Sequence, residues 1–495
     1  MGKKKKKDMI KLERESVIPI VKQKLITTLA AHIEGKSERA EFLKLCQRVE
    51  YTIRAWYHLQ FDELMCVLQQ LFALFEPVHG AQKLEQQNLS PEEIDDLEQN
   101  FLSYLFEMMD KSNFKITTDE EIDVALSAEY RLNLPIVVNE SKLDKRLFTR
   151  YFEKNPHKDL PYFADKFIIF RRGFGIDHMT AYFFKAKVNT IIVRFWRCFM
   201  KVTGLKFLTR LFFGKKVKPY KKDSAEPTEL KIEGEQDELY IERIRIEKLK
   251  FSISNFLRKI TIQEPTFERI IVVYRRMPRK HETERNIYVK HFKNIPMADL
   301  EIVLPEKKNP GLTPMDWVKF LVSAAIGLVT VISSLSMPKP DIRVIFGILS
   351  AVVGYCVKTY FSFQQNLVDY QNLITRCVYD KQLDSGRGTL LHLCDEVIQQ
   401  EVKEVIVSFF VLMEQGKGIS KEDLDLLCEQ FIKEKFGDDC NFDVDDAIRK
   451  LEKLGIVSQD NIGTYTCVNL RRANEIIGTT TEEVVLKAKG GGGDP

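Results

Sequence analysis

The stretch FLVSAAIGLVTVISSL, Phe320–Leu335, runs for sixteen residues without a charged side chain. A second apolar run, VIFGILSAVVGYCVKTYFSF at Val344–Phe363, follows a connector that contains two prolines. Counted from Trp317, each run is about 20 residues long, and a helix of that length spans ~30 Å, the hydrocarbon thickness of a bilayer. Because proline breaks a continuous helix, the pattern predicts a transmembrane hairpin at 314–363, with helices at 317–337 and 344–363.

The two apolar runs carry the same kinds of residue at their outer ends, as expected if the two helices form a hairpin. Trp317 and Lys319 open the first run, and Lys358 and Tyr360 close the second, so these four side chains are predicted as anchors at one membrane interface. Aromatic rings favour that depth, and lysine side chains reach the headgroups from it. The alternative is a hairpin buried in the protein's own core. We prefer the membrane because small residues recur four apart in both runs, which suits helix packing in lipid.

Two crossings would place both chain ends on one side of the membrane. The basic tail MGKKKKKD is not followed by an apolar segment, so the N-terminus predicts no secretory signal. We therefore expect an integral membrane protein with both termini on the cytosolic side and the lipid bilayer as a partner. The nine cysteines include no C-x-x-C pair, which is typical of free thiols in a reducing compartment.

The whole sequence predicts an α+β multidomain protein. Helical periodicity dominates the first third of the chain, where Ser90 and, much later, Ser420 are predicted as helix N-caps. A region of short β-branched runs follows, and the C-terminal part shows three helices and a small hairpin, the order of a winged-helix-like domain. The predicted parts are a basic tail (1–9), an N-terminal helical domain (10–160), a strand, turn and amphipathic helix (161–204), a charged linker (205–238), a small antiparallel β domain (239–305), the two-helix transmembrane hairpin (314–363), a helical connector (364–400), the winged-helix-like domain (401–478) and a flexible tail (479–495).

The motif RRGFGID predicts a glycine turn between a strand and a helix. Gly173 and Gly175 would let backbone N–H groups approach an anion, and the N-terminus of the following helix would favour negative charge. Arg171 and Arg172 are candidates for binding the anion's oxygens, while Asp177 would cap the helix or hold a metal. The alternative is a purely structural turn, because Gly-x-Gly alone is a weak signal and no Walker sequence occurs.

A basic helix is predicted after this turn. No acidic residue occurs between His178 and Lys222, and Arg194, Arg197 and Lys201 share one helical face opposite an apolar face. Such a helix can lie on an anionic membrane surface. A helix packed on its own domain with a basic exterior explains the pattern equally well.

The winged-helix-like domain lacks the charge that DNA binding requires. Asp443, Asp445 and Asp446 begin the helix that would enter a groove, and the predicted wing, SQDNIGTYT, contains no Lys or Arg. Phosphate contacts supply most nonspecific affinity for DNA. With a net charge of only +4, the chain predicts no nucleic-acid partner and favours protein partners for this domain.

No catalytic constellation is evident in the sequence. The G-x-S-x-G elbow and the two-histidine zinc motif are absent, so no catalytic residue, metal ligand or cofactor is predicted. His392 and Asp395 share a helix face beside Cys394, which leaves a cryptic hydrolase as a weak alternative. Histidine and carboxylate residues at this spacing are commonly structural.

Several motifs together resemble one known family. They are FRRGFGID, ITIQEPTFERIIVVYRR, HFKNIPMADLEIVLPEKKNPGLTPMDWVKF, YDKQLDSGRGTLLHL and QEVKEV. In this order they resemble the plant branch of the poorly characterised membrane family named for the animal transmembrane protein 143, over roughly residues 90 to 480. The resemblance implies two transmembrane helices and, as an alternative location, a mitochondrial or other organellar membrane. Some plant relatives carry an aminopeptidase label, but the family supplies no catalytic residues to carry over.

These observations predict a non-enzymatic adaptor or scaffold, anchored by the hairpin, that binds protein partners through its C-terminal domain. One alternative is recognition of anionic lipid or a phosphate ligand through the RRGFGID turn and the basic helix. The other alternative is a hydrolase or aminopeptidase centred on His392.

Overall fold

The computed structural model of the chain describes most of its residues. They are 9–11, 14–71, 90–126, 138–157, 160–182, 240–242, 258–277, 286–308, 342–490 and a few isolated positions between these ranges. The chain divides into two compact units, each assembled from separate segments. The central unit comprises Met1–Leu12, Ile116–Met277 and Val289–Asp384, and the terminal unit comprises Glu13–Lys115, Pro278–Tyr288 and Ser385–Pro495.

Helices and strands are labelled here in chain order over the described residues. The helices are α1 (Lys22–His32), α2 (Lys36–Leu71), α3 (Pro91–Lys111), α4 (Asp119–Leu126), α5 (Arg146–Lys154), α6 (Ile342–Lys381), α7 (Arg387–Gln415), α8 (Lys421–Phe436), α9 (Val444–Lys453), α10 (Leu470–Ile477) and α11 (Thr481–Gly490). The strands are β1 (Met9–Lys11), β2 (Lys115–Ile116), β3 (Phe167–Ala181), β4 (Tyr240–Glu242), β5 (Ile260–Arg275), β6 (Ile287–Pro296), β7 (Gln382–Ser385), β8 (Val457–Gln459) and β9 (Tyr465–Cys467). Short 3-10 helices occur at Glu140–Lys142 and Met297–Ile302.

Helix α7 lies at the centre of the terminal unit. Almost every side chain between Val397 and Leu412 is buried, because apolar residues occur on all sides of this part of the helix. The buried side chains include the polar residues Gln400, Glu401, Lys403, Glu404 and Ser408. Its Phe410 ring lies 5.7 Å from the ring of Phe42 on α2 and 5.5 Å from that of Phe431 on α8, measured between centroids. The core of this unit therefore joins residues from both ends of the chain.

The predicted N-caps are confirmed in the terminal unit. The Ser90 hydroxyl accepts a hydrogen bond from the N–H of Glu93, and the Glu93 carboxylate accepts one from the N–H of Ser90, which makes a capping box at the start of α3. The Ser420 hydroxyl accepts the N–H of Asp423 at the start of α8. These local signals hold because both partners lie within one helical turn.

The central unit contains a five-stranded sheet in the order β2-β3-β5-β6-β7. Strands β3 and β5 pair antiparallel in a single register, from Phe167 opposite Tyr274 to Ala181 opposite Ile260. The sequence predicted that β3 would end at a glycine turn and lead into a helix. In the structure β3 instead continues through both glycines to Ala181, because β5 offers it backbone partners along its whole length.

The C-terminal elements follow one another in the predicted order. Helices α7, α8 and α9 come first, and the antiparallel pair β8–β9 completes the series. A backbone bridge adds Ile419, between α7 and α8, to the edge of β9, since Ile419 and Tyr465 exchange two N–H···O bonds of 3.2 and 2.8 Å. The predicted boundary at residue 401 falls inside α7, which begins at Arg387.

The transmembrane hairpin is the main correction to the predicted fold. Among the described residues, no helix combines the length and the apolar character that crossing a membrane requires, so the prediction of two spans is wrong. The run at 344–363 is not a separate element, because it forms the first half of α6, a continuous helix of 40 residues. Its second half carries Asp369, Arg376 and Asp380. The run at 317–337 lies largely outside the described residues.

Two of the four predicted interface anchors lie on described backbone. Lys358 and Tyr360 are both exposed on α6, and the Tyr360 hydroxyl accepts a hydrogen bond from the Gln364 amide at 3.1 Å. Trp317 and Lys319 lie outside the described residues. The mixed α and β fold is confirmed, with an antiparallel sheet and without the hairpin.

Candidate functional site

The RRGFGID motif lies within strand β3 of the central unit. Arg171 is buried, and its guanidinium forms an ion pair of 2.5 Å with Glu121 on α4. The guanidinium carbon also lies 4.6 Å from the centre of the Phe174 ring. Glu121 itself closes a capping box with Thr118, so its position is held from two sides. Arg171 thus links the sheet to α4.

The two glycines of the motif accommodate a carboxylate from the neighbouring strand. Gly173 has a φ of +72°, and a Cβ at this position would lie 2.6 Å from Oε2 of Glu268 on β5. A Cβ at Gly175 would lie 2.9 Å from the hydroxyl of Thr266. Arg172 and Asp177 lie opposite Arg269 and Glu264 in the ladder. An anion at these glycines would meet the Glu268 carboxylate, so the arrangement gives the predicted anion site no support, and that site stays a prediction.

Replacement of Gly173 tests how strongly this part of β3 is constrained. We expect Gly173→Ala to destabilise the central unit by about 1–2 kcal/mol, because residues with a side chain disfavour positive φ. The new methyl group must also displace the Glu268 side chain. Urea unfolding measures the effect. Gly347→Ala in α6, where a Cβ meets nothing within 4 Å, should instead be neutral or stabilising. Equal stability of Gly173→Ala and the wild type would contradict the expected strain.

The remaining residues predicted as site residues either lie apart from one another or fall outside the described residues. Arg194, Arg197 and Lys201 lie outside the described residues. His392 is 3.1 Å from the carboxylate of Glu396, whereas Asp395 is exposed on the same helix.

The thiol next to His392 does not have the properties of a nucleophile. Cys394 is buried, and its sulfur lies 3.7 Å from that of Met108. Burial raises the pKa of the Cys394 thiol far above its usual range, which keeps it protonated. The constellation needed for the hydrolase alternative is therefore not assembled at His392.

The β8–β9 hairpin presents a large apolar side chain at a rigid tip. The carboxylate of Asp460 accepts hydrogen bonds from the N–H groups of Ile462 (2.9 Å) and Thr464 (2.8 Å) and from the Thr464 hydroxyl (2.7 Å). Gly463 provides the positive φ of +90° that the turn needs. These contacts fix the backbone of the turn, and Ile462 is 88% exposed there.

The acidic start of α9 is neutralised by the domain's own cations. Asp443 is the N-cap and accepts the N–H of Asp446 at 3.3 Å. The carboxylate of Asp445 lies 2.6 Å from the ammonium of Lys421 on α8. Negative charge is also favoured at a helix N-terminus. These aspartates therefore stabilise the local structure, and they would repel a phosphate backbone.

A buried polar cluster, which the sequence analysis did not single out, joins α2, α7 and α9. Glu401 and Glu404 lie on α7, Asp446 and Lys450 lie on α9, and Tyr57 lies on α2. The Tyr57 hydroxyl donates to Glu401 at 2.6 Å, and the Lys450 ammonium contacts both Glu401 and Asp446. Charged residues inside the apolar run VIQQEVKEVIV are the sequence signal that points to this cluster.

Burial controls the electrostatics of this cluster. It raises the pKa of Glu404 to about 8, and the nearby charges of Asp443 and Asp446 act in the same direction. The amide of Gln400 donates to Glu404 at 2.6 Å and opposes the shift. Burial therefore favours the protonated form of Glu404.

The cluster also has the spacing of a cation site. Carboxylate oxygens of Glu401, Glu404 and Asp446 lie within 4.8 Å of one another. The Lys450 side chain contacts two of these carboxylates, while burial and the charge of Lys111 lower the pKa of its amine to about 7. Buried charged groups are stable only when they are paired, and here the contact between Lys450 and Glu401 connects α9 to α7.

Comparison with known proteins identifies one domain. A family described as a protein of unknown function (DUF3754) matches residues 267–388, from β5 to the start of α7. No curated protein and no solved structure matches the chain. By its fold and by this comparison, the chain is a mixed helix and sheet protein that contains a domain of unknown function. This confirms the resemblance to an uncharacterised domain family.

Proposed function

We propose that the protein is a non-enzymatic adaptor that binds a protein partner through its C-terminal helices and the β8–β9 hairpin. The observation that carries this proposal is the exposed Ile462 side chain on its hydrogen-bonded turn. Because the hydrogen bonds to Asp460 fix the backbone of this turn, less backbone entropy is lost when a partner covers Ile462. Such anchors dominate the affinity of many protein interfaces.

The charge of the same region supports a protein ligand over a nucleic acid. The hairpin from Val457 to Cys467 contains no Lys or Arg, and α9 begins with aspartates. Binding to DNA depends on cations that neutralise phosphates. A protein partner needs an apolar pocket for Ile462 and no excess of positive charge on this side of the interface.

The order of the sequence motifs also indicates a family for this chain. We propose that the chain is a plant-type relative of the transmembrane protein 143 family, on the order of the motifs given above. The matched domain spans the motif HFKNIPMADLEIVLPEKKNPGLTPMDWVKF and parts of two others. An adaptor role is consistent with a family that supplies no catalytic residues.

The adaptor proposal predicts a large effect of one surface substitution. Proximity labelling of the intact protein in cells identifies the partner, and titration of the purified pair measures its affinity. We expect Ile462→Asp to weaken binding about tenfold to a hundredfold, because burying an isoleucine contributes about 1.5–3 kcal/mol. The fold should be unaffected, since Ile462 is exposed.

A matched control uses another exposed apolar residue of the terminal unit. Val484 on α11 is 55% exposed, and Val484→Asp should leave the affinity unchanged. If Ile462→Asp binds as tightly as the wild type, the hairpin is not the interface. A specific hydrolytic activity that a single point mutation abolishes would overturn the adaptor role itself.

A further inference from the structure

Residues 14–20 form a short irregular segment of the terminal unit, without helix or strand. Ile18 and Ile20 are buried, with 2% and 5% of their surface exposed, whereas Pro19 between them is exposed. Proline restricts the residue before it to extended conformations, in which alternate side chains lie on the same side of the chain. Both isoleucines therefore enter the apolar core of the unit together. We call residues 14–20 the docked segment.

Two polar side chains of α7 bind the main chain of the docked segment. The Gln400 amide oxygen accepts the N–H of Ile18 at 3.1 Å, and the Gln400 amide nitrogen donates to the carbonyl of Ser16 at 3.4 Å. The Lys403 ammonium donates to the carbonyls of Ile18 and Ile20. Gln400 and Lys403 are themselves only 7% and 8% exposed. These buried groups thus recognise peptide groups, which any polypeptide chain offers.

Two asparagines add contacts from other parts of the terminal unit. Asn113, just after α3, donates its side-chain amide to the carbonyl of Ser16 at 3.0 Å. Asn441, between α8 and α9, donates its backbone N–H to the carbonyl of Glu15 at 3.0 Å and its side-chain amide to the Ser16 hydroxyl at 3.3 Å. We call the surface formed by Asn113, Gln400, Lys403, Asn441 and the core around the two isoleucines the α7 groove.

The docked segment is held in the α7 groove in the way a bound peptide is held. Residues 14–20 take part in no strand pairing, so the segment can leave without breaking a helix or a β-ladder. Segments of this kind open at a lower free energy than the core they cover. Strand β1 precedes the segment and α1 follows it, which keeps an opened segment close to the groove as a tethered competitor.

We propose that the α7 groove binds an extended peptide of a partner protein, and that the docked segment is its built-in competitor. The present occupant defines the chemistry of that peptide, which carries two branched apolar residues on either side of a proline. Opening of the segment removes two carbonyl partners from the buried Lys403 ammonium, so the replacing peptide must offer carbonyls in the same places. This inference does not rest on the interface proposed at the β8–β9 hairpin.

A labelled peptide with the sequence of residues 13–21 tests the proposal on the full-length protein. Fluorescence anisotropy measures its affinity for the wild type and for Ile18→Asp, whose own segment carries a charge that the apolar core disfavours. We expect Ile18→Asp to bind the peptide about tenfold or more tightly than the wild type, in which the tethered segment competes at high effective concentration. Absence of binding to both proteins, or equal affinity for both, overturns the proposal.

Substitutions in the peptide test the recognition without changing the protein. Peptides that carry Ile18→Asp or Ile20→Asp should bind the Ile18→Asp protein about tenfold or more weakly, because each places a charge in the apolar core. The matched control is a peptide with Val21→Asp, since Val21 is 72% exposed in the chain. This control peptide should bind like the unchanged one. Equal losses from Ile20→Asp and Val21→Asp would rule out binding in the α7 groove.

Hydrogen exchange in the wild type shows whether the docked segment opens by itself, and it remains informative if Ile18→Asp impairs folding. The N–H of Ile18 should exchange through a local opening, faster than the amide of Val405 in the buried part of α7 and with little dependence on urea. If the two amides exchange equally slowly and with the same urea dependence, the segment leaves only when the unit unfolds. That result overturns a groove that is available to a partner.

Light scattering distinguishes a partner's peptide from the same segment of a second copy. If two copies exchanged their docked segments, the wild type would dimerise with increasing concentration, and the peptide of residues 13–21 would dissociate the dimer. We expect instead a molar mass that the peptide does not change beyond its own contribution. A dimer that the peptide dissociates would overturn a partner protein as the occupant.

Discussion

The stability of the terminal unit should fall as the pH rises from about 5 to 7. The pKa of Glu404 is raised to about 8 in the folded protein, whereas an unfolded glutamate titrates near pH 4.3. Between these values the folded state keeps a proton that the unfolded state releases, so increasing pH favours unfolding. The slope approaches about 1.4 kcal/mol per pH unit. Above pH 7 it is offset by Lys450, because burial lowers the pKa of this lysine to about 7 and the unfolded state then binds more protons at it than the folded state.

Replacing the carboxyl group by an amide should remove this dependence. Glu404→Gln imitates the protonated form and keeps an oxygen to accept the 2.6 Å hydrogen bond from Gln400. We expect it to raise the free energy of unfolding by about 2–4 kcal/mol at pH 7 and to flatten the profile between pH 5 and 7. Urea unfolding followed by circular dichroism, with hydrogen exchange along α7 as the local measurement, provides the test.

The control for this substitution is an exposed glutamate on α9. Glu452→Gln makes the same chemical change where the side chain is solvated, and it should keep the wild-type slope. A wild-type profile that is already flat between pH 5 and 7 would show that Glu404 is ionised in the folded protein. That result would contradict the role of burial at this cluster.

Loss of one buried arginine should detach the last two helices from the terminal unit. Arg48 on α2 forms hydrogen bonds of 2.7 and 3.0 Å with the two carboxylate oxygens of Glu483 on α11. It also donates to the carbonyl of Asn474 on α10 at 2.5 Å. Its side chain is only 8% exposed. Arg48→Met is expected to destabilise the unit by about 3 kcal/mol, because it leaves Glu483 without this buried partner.

Hydrogen exchange and a double-mutant cycle identify the cause of this loss. In Arg48→Met, the amides of α10 and α11 should exchange faster than in the wild type. This acceleration should be larger than that of amides elsewhere in the unit. A cycle with Glu483→Gln should give a coupling of at least ~1 kcal/mol. Arg54→Met removes a more exposed i,i+4 pair with Glu50 and should change stability by less than about 1 kcal/mol. Equal effects of the two arginine substitutions would contradict a specific anchoring role for Arg48.

The length of the apolar run at 344–363 could not by itself distinguish a transmembrane helix from a helix of the protein's own fold. A window of about 20 residues resembles a span whenever its length matches a bilayer. The window contained no information about the following residues, which extend the same helix to Lys381 with charged side chains. The apparent mirror symmetry of Lys358 and Tyr360 with Trp317 and Lys319 rested on that window.

Local signals in the sequence were sufficient for several elements. The Ser90 and Ser420 caps and the order of α7, α8, α9, β8 and β9 could be predicted, since each depends on residues close together in the chain. The acidic start of α9 and the absence of basic residues in the hairpin were also evident from the sequence. These features underlie the proposal of a protein partner.

Only the tertiary structure decided where the distant residues meet. Strand β3 continues through its glycines because β5, about ninety residues later, supplies a matching ladder in place of the expected turn. Tyr57, Glu404 and Lys450 come from three separate segments, and burial among the same helices determines their protonation. The sequence determined the local caps, helices and charges, while long-range pairing and desolvation determined the sites, because neither is a property of neighbouring residues.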